Sequence, residues 1–528
     1  MSASKPAGLW RQIAVGLMAL ALAFGPAQSQ AEAAVLLVTR FDDPAPNGCA
    51  SGSDCSLREA VLQANATGGL DVIQLPAGVY TLTVAGVDDT GNLGDLDFTG
   101  PTQLGVTGGL SASIGAESSL LDRIMDVITG SVAVTMTDIV IHGGDPLNNT
   151  AGGVRVAANT SLWLERVTVR DNLAGAGGGG GLLTAGRLTL VDSLVTRNRA
   201  PNGGQGGGIL ATPGAVVVLT NTVILSNTTS STSGAHGGGI LLQANTKLTM
   251  SGGGLISNTA SGNGGGLTIF TANPVVLTGV QVLTNTALQG GGVLNFGPLT
   301  MVNSLVRGNT ATQNGGGGLR AESGLTLTAS AVISNVATNS TGGGLHIVNG
   351  VTAVITNVTF SDNLAQLSGG AVSAGNTSVV FLHHVSVISN TTTLGNGGGL
   401  NTILLGGLSN SLVAGNRDLS AGAQQPDCAV GTRSLGYNLI GNSTGCGLLG
   451  NLTGVISNTL ALVGPLAYNI GPTPTHTLRL GSPAFNSANP ANCAPTDQLG
   501  ASRPAGPGCD LGAWEGDQAL VFVPITQK

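Results

Sequence analysis

The sequence predicts an all-β fold: a right-handed, single-stranded parallel β-helix with a short capping helix at its N-terminal end. Three observations predict it. Glycine supplies 86 of the 528 residues, and 41% of the chain is hydrophobic although only 3% is aromatic. One asparagine recurs about every 27 residues through the middle of the chain. Between these asparagines, short stretches alternate apolar and polar residues, which is the pattern of strands with one buried face.

The composition excludes two broad classes of protein. A disordered chain would be poor in apolar residues and rich in charge, whereas only 9% of these residues are charged. The formal net charge is -7, so the chain lacks the basic excess that nucleic-acid binding requires. We therefore expect a folded protein without a nucleic-acid partner.

The asparagine repeat defines the structural unit. Each asparagine stands three residues after an apolar side chain, as Asn198 follows Val195. A glycine cluster and an aliphatic residue come next, as in the GGGI sequence at 206–209. The recurrent asparagines are Asn172, Asn198, Asn227, Asn258, Asn285, Asn309, Asn335, Asn363, Asn390 and Asn416.

A unit of this length without a helical stripe predicts one coil of strands, and successive coils stack in parallel at about 4.8 Å. Glycine permits tight corners and close backbone approach. Asparagine tolerates a left-handed corner and can hydrogen-bond to its copy in the next coil. We therefore expect the recurrent asparagines to lie at left-handed corners and to form a ladder. A second set, six residues earlier in the unit, is a candidate for another ladder: Asn221, Asn303, Asn357 and Asn410.

Residues 1–33 have the pattern of a secretory signal peptide. Lys5 and Arg11 form a basic region, 13–24 is apolar, and Ala31-Glu32-Ala33 is a small-residue cleavage site. The apolar run is too short to span a bilayer as a stable helix, and we expect no transmembrane segment in the mature chain. The sequence thus predicts a secreted or cell-surface protein.

Six cysteines fall into three local pairs outside the repeats. An even number of cysteines in an exported chain favours disulfides. Zinc is the alternative, but no histidine or further cysteine stands at zinc-ligand spacing beside them. The predicted disulfides are Cys49–Cys55, Cys428–Cys446 and Cys493–Cys509.

An open solenoid exposes apolar core at its ends, so we expect caps at both. At the N-terminal end, Ser56 and Glu59 have the spacing of a helix capping box. The residues that follow place Leu57, Ala60, Val61 and Ala64 on one apolar helix face. This short helix is predicted to cover the first coil, with the Cys49–Cys55 disulfide fixing its start.

Two stretches resemble known families. Residues 55–60 read CSLREA, the hexapeptide for which the CSLREA domain is named, and LPAGVY at 75–80 is similar to the same domain. Near the other end, GPTPTHTL at 471–478 and CDLGAWE at 509–515 resemble the choice-of-anchor Q type of C-terminal region. These resemblances imply an exported bacterial β-helix protein; they imply no particular chemistry.

The middle repeats are similar to those of chlamydial polymorphic outer-membrane proteins, with GGAV at 369–372 and FSDN at 360–363. That similarity implies an adhesin. The predicted organisation is then as follows: signal peptide, 1–33; CSLREA-type cap and first coils, 34–100; parallel β-helix, 101–418; choice-of-anchor Q-like region, 419–516; tail, 517–528.

Acidic residues decide between a scaffold and an enzyme. Glycoside hydrolysis needs at least two carboxylates, and between Ser193 and Asn416 the only acids are Glu322 and Asp362. We therefore predict a non-catalytic, adhesin-like or structural protein that contacts extracellular glycans or cell surfaces. The alternative is a carbohydrate-active enzyme, a polysaccharide lyase or glycoside hydrolase, because pectate-lyase-like solenoids often carry such sites. Its site would lie on the early coils, at 88–192.

The early coils also hold the candidate metal ligands. Asp88, Asp89, Asp95 and Asp97 could bind Ca²⁺ through oxygen atoms. Asx turns and solvated corners are the alternative for these residues, and no other cofactor is expected.

Overall fold

The computed structural model describes residues 33–517 except 50–53, 110, 129, 131, 148, 149, 232, 233, 402, 404, 423 and 430. The predicted signal peptide, apart from Ala33, and the tail, apart from Asp517, lie outside the described residues. The described chain forms an all-β parallel solenoid, so the predicted fold class is confirmed.

Four parallel sheets run along the solenoid, each receiving at most one strand from each coil. Sheet 1 consists of Val35–Leu37, Asp71–Leu75, Thr102–Val106, Ala133–Thr137, Ser161–Glu165, Arg187–Val191, Val216–Thr220, Lys247–Ser251, Val275–Thr278, Leu299–Val302, Leu325–Thr328, Thr352–Thr356, Val379–His383, Leu405–Ser409, Arg433–Leu435 and Leu449–Asn451. Sheet 2 consists of Leu96–Phe98, Met125–Val127, Val154–Val156, Leu182–Thr184, Ile209–Ala211, Ile240–Leu242, Leu267–Ile269, Val293–Asn295, Leu319–Ala321, Leu345–Ile347, Val372–Ala374 and Leu400–Asn401.

The other two sheets complete each coil. Sheet 3 consists of Val79–Leu82, Ala112–Ala116, Ile139–His142, Thr168–Arg170, Leu194–Thr196, Val223–Leu225, Gly254–Ile256, Gln281–Leu283, Leu305–Arg307, Ala331–Ile333, Thr359–Ser361, Ser386–Ile388, Leu412–Ala414, Leu439–Ile440 and Ile456–Ser457. Sheet 4 consists of Arg199–Ala200, Thr228–Thr229, Thr259–Ala260, Thr286–Ala287, Thr310–Ala311, Val336–Ala337, Leu364–Ala365, Thr391–Thr392 and Arg417–Asp418. Outside the four sheets lie the helix Leu57–Ala66, the 3₁₀ turns Thr107–Gly109 and Pro490–Asn492, and an antiparallel strand pair, Val463–Ala467 with Thr475–Leu478.

The core is a set of aliphatic columns inside the four sheets. The apolar residue three positions before each recurrent asparagine lies in sheet 3 and is buried, as Val282 and Val306 illustrate. Glycine is required where coils approach each other outside the strands. A Cβ atom on Gly265 would lie 2.4 Å from the carbonyl oxygen of Gly291 in the next coil. The glycine clusters therefore permit the close stacking of coils.

The ten recurrent asparagines form the predicted ladder inside the solenoid. Each is buried, and in the first nine both the backbone amide and Nδ2 donate to Oδ1 of the asparagine in the next coil. Asn285, for example, donates both bonds to Asn309 at 2.9 Å. Its Nδ2 also donates to the carbonyl oxygen of Leu255 at 2.8 Å. Without the ladder, the backbone amide and Nδ2 of each asparagine would be buried without hydrogen-bond partners; the ladder supplies those partners.

The expectation that these asparagines lie at left-handed corners is wrong. The left-handed residue is the one immediately before each asparagine, such as Ser257 with φ 53° or Thr284 with φ 52°. The asparagine itself is not left-handed, and its amide and side chain point together into the next coil. The corner residue is more variable in type because its side chain does not join the ladder.

The second asparagine set lies at left-handed corners but forms no second ladder. Asn221 and Asn410 have φ of 48° and 50°. Asn221 donates to Asp192, whereas Asn357 and Asn410 donate to carbonyl oxygens of the C-terminal region. Glycine or alanine replaces asparagine at this corner in several coils, including Gly252 and Ala329, so a continuous amide row cannot form.

The predicted N-terminal cap is present. Ser56 and Glu59 form the capping box of the helix Leu57–Ala66, whose apolar face is buried against the first coil. The Cys49–Cys55 disulfide precedes the helix. Arg58, on the same helix, is fully buried and pairs with Asp43 at 2.7 Å. That inward-pointing ion pair is not predicted by the amphipathic pattern.

The C-terminal region packs beside the solenoid instead of covering its last coil. Residues 461–517 lie against the outer side of sheet 3, where Phe485 and Leu511 form an apolar cluster with Leu412. The last strand of sheet 1, Leu449–Asn451, remains exposed. Residues 461–517 therefore do not form the expected second cap, because their apolar side chains pack against sheet 3. The other two predicted disulfides, Cys428–Cys446 and Cys493–Cys509, are also formed.

Candidate functional site

A cluster of aspartates lies on and just before the first two strands of sheet 2, beside an arginine on the third. The central residues of these strands pair across the sheet in the order Asp97, Asp126, Arg155. Asp95 immediately precedes the first strand, and Asp122 lies in the loop before the second. Adjacent parallel strands are about 4.8 Å apart, so the fold brings together carboxylates that are a full coil apart in sequence.

The four carboxylates of this cluster are almost completely removed from solvent. Asp97 and Asp126 are 0% exposed, Asp95 is 2% exposed and Asp122 is 3% exposed. One oxygen from each of Asp95, Asp97 and Asp126 lies within 4.8 Å of the other two. We call Asp95, Asp97, Asp122 and Asp126 the aspartate cluster.

Two arginines neutralise part of the cluster. Arg123 donates from Nη1 to Oδ2 of Asp126 at 2.7 Å, and Nη2 of Arg155 forms an ion pair with the same oxygen. Nε of Arg123 also lies 3.7 Å from Oδ2 of Asp95. Both arginines therefore bind Asp126, Arg123 also lies within 4.0 Å of Asp122, and among the described residues Asp97 forms no ion pair.

Several carboxylate oxygens in the cluster have no hydrogen-bond partner among the described residues. Both oxygens of Asp97 are unpartnered, as are Oδ1 of Asp126 and Oδ2 of Asp95. Oδ2 of Asp122 is also unpartnered. Buried polar atoms without partners are rare in native proteins and need a physical explanation.

The surroundings disfavour the ionised carboxylates. Burial raises the pKa of Asp97 to about 7, and the neighbouring charge of Asp126 adds to the effect. The pKa of Asp95 is also raised, first by burial and then by the charge of Asp97. Desolvation and repulsion between like charges both act in this direction.

Only half of the predicted Ca²⁺ set meets in this cluster. Asp95 and Asp97 belong to it, whereas Asp88 forms an Asx turn by accepting from the backbone amides of Thr90 and Gly91. The side chain of Asp89 is 82% exposed and lies 3.8 Å from Arg155. Asp88 therefore forms the Asx turn that is the alternative to Ca²⁺ binding. The predicted Ca²⁺ set does not include Asp122 and Asp126, which belong to the aspartate cluster.

A second group of acids lines an open cleft on sheet 3 of the early coils. Glu117, Asp145 and Asp171 border a cavity of about 290 Å³. Asp171 is held by Arg197 at 2.7 Å and by Arg170 at 2.6 Å. These bonds lower the pKa of Asp171 to about 2, so it is an ionised partner of arginine and not a proton donor.

The other early acids are engaged at the surface. Arg166 pairs with Asp138 of the preceding coil at 2.7 Å and with its neighbour Glu165. Asp192 accepts from Asn221 of the next coil. These contacts link adjacent coils and do not create a shared groove of carboxylates.

On the outer side of sheet 1 the central column is uncharged, and we call this column the threonine–valine face; Glu165, Arg187 and Lys247 lie at its margins on the same side. The column contains only threonine, valine and two aromatic residues. The column is Thr135, Trp163, Thr189, Val218, Thr249, Val276, Thr300, Thr326, Val354 and Phe381. Trp163, Val354 and Phe381 are 43%, 41% and 40% exposed.

Comparisons with known proteins find similarity among solved structures only. No family model matches the chain, and no curated protein matches it. Among solved structures, the chain is similar to the crystal structure of pectate lyase Pel9A, at 13% identity and a TM-score of 0.29, over 93% of this chain and 98% of that one. Among residues 33–517 as described, no helix is long and apolar enough to cross a membrane.

Proposed function

We propose that this protein is a non-catalytic extracellular β-helix, adhesin-like or structural, that presents the threonine–valine face to glycans or to cell surfaces. The observation that carries the proposal is the uncharged column on sheet 1, which repeats along ten consecutive coils. Hydroxyl and methyl groups repeated at about 4.8 Å suit an extended polymer. Trp163, Val354 and Phe381 add exposed apolar side chains to this column, and exposed apolar surface often marks an interaction site.

The chemistry of the early coils also supports a non-catalytic role. The aspartate cluster is buried, so a polysaccharide would not reach it in this conformation. In the cleft, Asp171 forms ion pairs with two arginines. Three disulfides agree with an oxidising compartment, and the CSLREA resemblance agrees with export.

Charge introduced on the threonine–valine face tests the proposal. Thr249 and Thr326 are exposed on this face, and Lys at these positions would require desolvation on binding. The variants T249K and T326K are expected to weaken retention on glycans or cells by roughly tenfold. Q281K, at an exposed position of sheet 3, is the matched control and should bind like the wild type. Equal binding by all four proteins would contradict the proposal.

A polysaccharide-degrading enzyme is the second candidate, and the cleft on sheet 3 is the observation that favours it. Glu117 and Asp145 line the cleft beside Asp171, and two carboxylates are the minimum for glycoside hydrolysis. Cleavage of a polysaccharide by the wild type that is lost in E117Q or D145N would establish this candidate.

A further inference from the structure

We propose that Asp95, Asp97 and Asp126 bind one Ca²⁺ ion. The ion would join the first two strands of sheet 2 to the loop that precedes the first of them. Oxygen atoms from all three residues lie within 4.8 Å of one another. Ca²⁺ binds oxygen ligands at 2.3–2.6 Å, so a single ion placed among these atoms can contact all three. The site differs from the four aspartates predicted by sequence, since Asp126 replaces Asp88 and Asp89.

The unpartnered oxygens are the observation that points to a ligand. Asp126 uses Oδ2 for both arginines, and its Oδ1 has no partner among the described residues. Both oxygens of Asp97 and Oδ2 of Asp95 are likewise unpartnered. Leaving several buried acceptors unpaired costs about 1–3 kcal/mol each, and more when they are charged. A bound cation removes that cost.

The charge of the cluster indicates a divalent ion. Four ionised aspartates carry four negative charges, and Arg123 and Arg155 carry two positive charges, which leaves two negative charges in a buried volume. One Ca²⁺ ion balances them. Without an ion, the alternative is protonation, toward which burial and mutual repulsion already move Asp95 and Asp97.

The donor set favours Ca²⁺ over other metals. Every candidate ligand atom is a carboxylate oxygen, and no histidine or cysteine belongs to the group. Oxygen-only sets suit hard cations, and Ca²⁺ accepts an irregular geometry that Mg²⁺ does not. The backbone also ties the site to the cap, because Arg58 of the helix donates to the carbonyl oxygens of Gly94 and Asp95. An ion here would stabilise the junction between the cap and the first coils.

The test compares metal content and thermal stability in the full mature chain. After EDTA treatment and dialysis against Ca²⁺, we expect one Ca²⁺ per chain by mass spectrometry of the metal and a melting temperature several degrees higher than in EDTA. D97N removes a central ligand and should abolish both effects. In EDTA, D97N should melt higher than the wild type, because it removes an uncompensated buried charge.

The matched control is D89N, which removes the same charge from an exposed position in the neighbouring loop. It should keep the full Ca²⁺ response. Three results would overturn the proposal: no stoichiometric Ca²⁺ in the wild type, an equal response in D97N, or the same stabilisation by Mg²⁺ alone. None of these outcomes depends on whether the threonine–valine face binds glycans.

Discussion

Asn416 donates from both its backbone amide and its Nδ2 to Oδ1 of Asp427, at 3.0 and 2.8 Å. This contact has the same geometry as the nine rungs between recurrent asparagines, so the ladder ends on an aspartate. The other oxygen, Oδ2, accepts from the backbone amide of Asn442 at 2.6 Å. An ionised aspartate only accepts hydrogen bonds, so it suits a position where the last donors of the ladder meet another donor.

This contact predicts a graded response at position 427. D427A leaves the donors of Asn416 and Asn442 unpaired in a buried site, and we expect a loss of about 2–4 kcal/mol in the free energy of unfolding. D427N keeps an acceptor for Asn416 but turns an amide group toward Asn442, so its loss should be smaller. Urea denaturation measures both. Equal losses in the two variants would show that Oδ1 does not terminate the ladder.

Replacing an asparagine in the middle of the ladder should lower the free energy of unfolding more than replacing an asparagine at a left-handed corner. N285A removes bonds to Asn258 and Asn309 and leaves buried donors without partners; the expected loss is about 2–4 kcal/mol. N303G is the control, because Asn303 is exposed and left-handed with φ 49°, a conformation that glycine adopts freely. Its effect should stay within about 0.5 kcal/mol. Similar losses in both variants would contradict the role given to the ladder.

Sequence spacing predicts the ladder, the core column and the capping box, because each depends on residues at fixed local intervals. The aspartate cluster depends on which residues face each other in adjacent coils. That signal is present in the sequence as three tripeptides, Leu96-Asp97-Phe98, Met125-Asp126-Val127 and Val154-Arg155-Val156, 29 residues apart. The recurrent asparagine begins only at Asn172, so the repeat that it marks does not include these tripeptides.

The position of the C-terminal region could not be read from the repeat. Several of its contacts to the solenoid join residues more than 80 positions apart, such as Asn492 with Asn410 and Thr496 with Asn357. No periodic pattern encodes such contacts, because they depend on the shape of one irregular segment against one flank.

The buried ion pair of the C-terminal region should control its attachment. Arg503 and Glu515 are 2.6 Å apart and have fully buried side chains. E515Q leaves Arg503 uncompensated, which typically costs about 3–5 kcal/mol. We expect faster hydrogen exchange and proteolysis within 461–517 and little change in the coils. D138N, which breaks the exposed pair with Arg166, should cost less than about 1 kcal/mol. An equal increase in hydrogen exchange and proteolysis throughout the chain would contradict the claim that this ion pair controls the attachment of 461–517.

Acid should destabilise the protein partly through His346. Burial, together with the charge of Arg320, lowers the pKa of His346 to about 4. Between this value and about 6.5 the unfolded chain binds more protons than the folded one. The stability contributed by neutral His346 is therefore present above pH 6.5 and is lost as the pH falls toward 4, by roughly 2–3 kcal/mol.

The matched variant is H346Q, which can still hydrogen-bond to Thr341 as the histidine ring does at 2.9 Å. The difference in urea midpoint between H346Q and the wild type should change in favour of H346Q as the pH falls from 7 to 4. A difference that does not vary with pH would show that His346 does not titrate in this range.

The most direct test of the central claim measures binding and cleavage in the same sample. The mature chain, 34–528, is incubated with uronate-rich and neutral polysaccharides and with cells, with and without Ca²⁺, and both retained protein and new chain ends are measured. We predict retention that T249K and T326K weaken, without new reducing ends or unsaturated products. Polysaccharide cleavage by the wild type that disappears in E117Q or D145N would contradict a non-catalytic role.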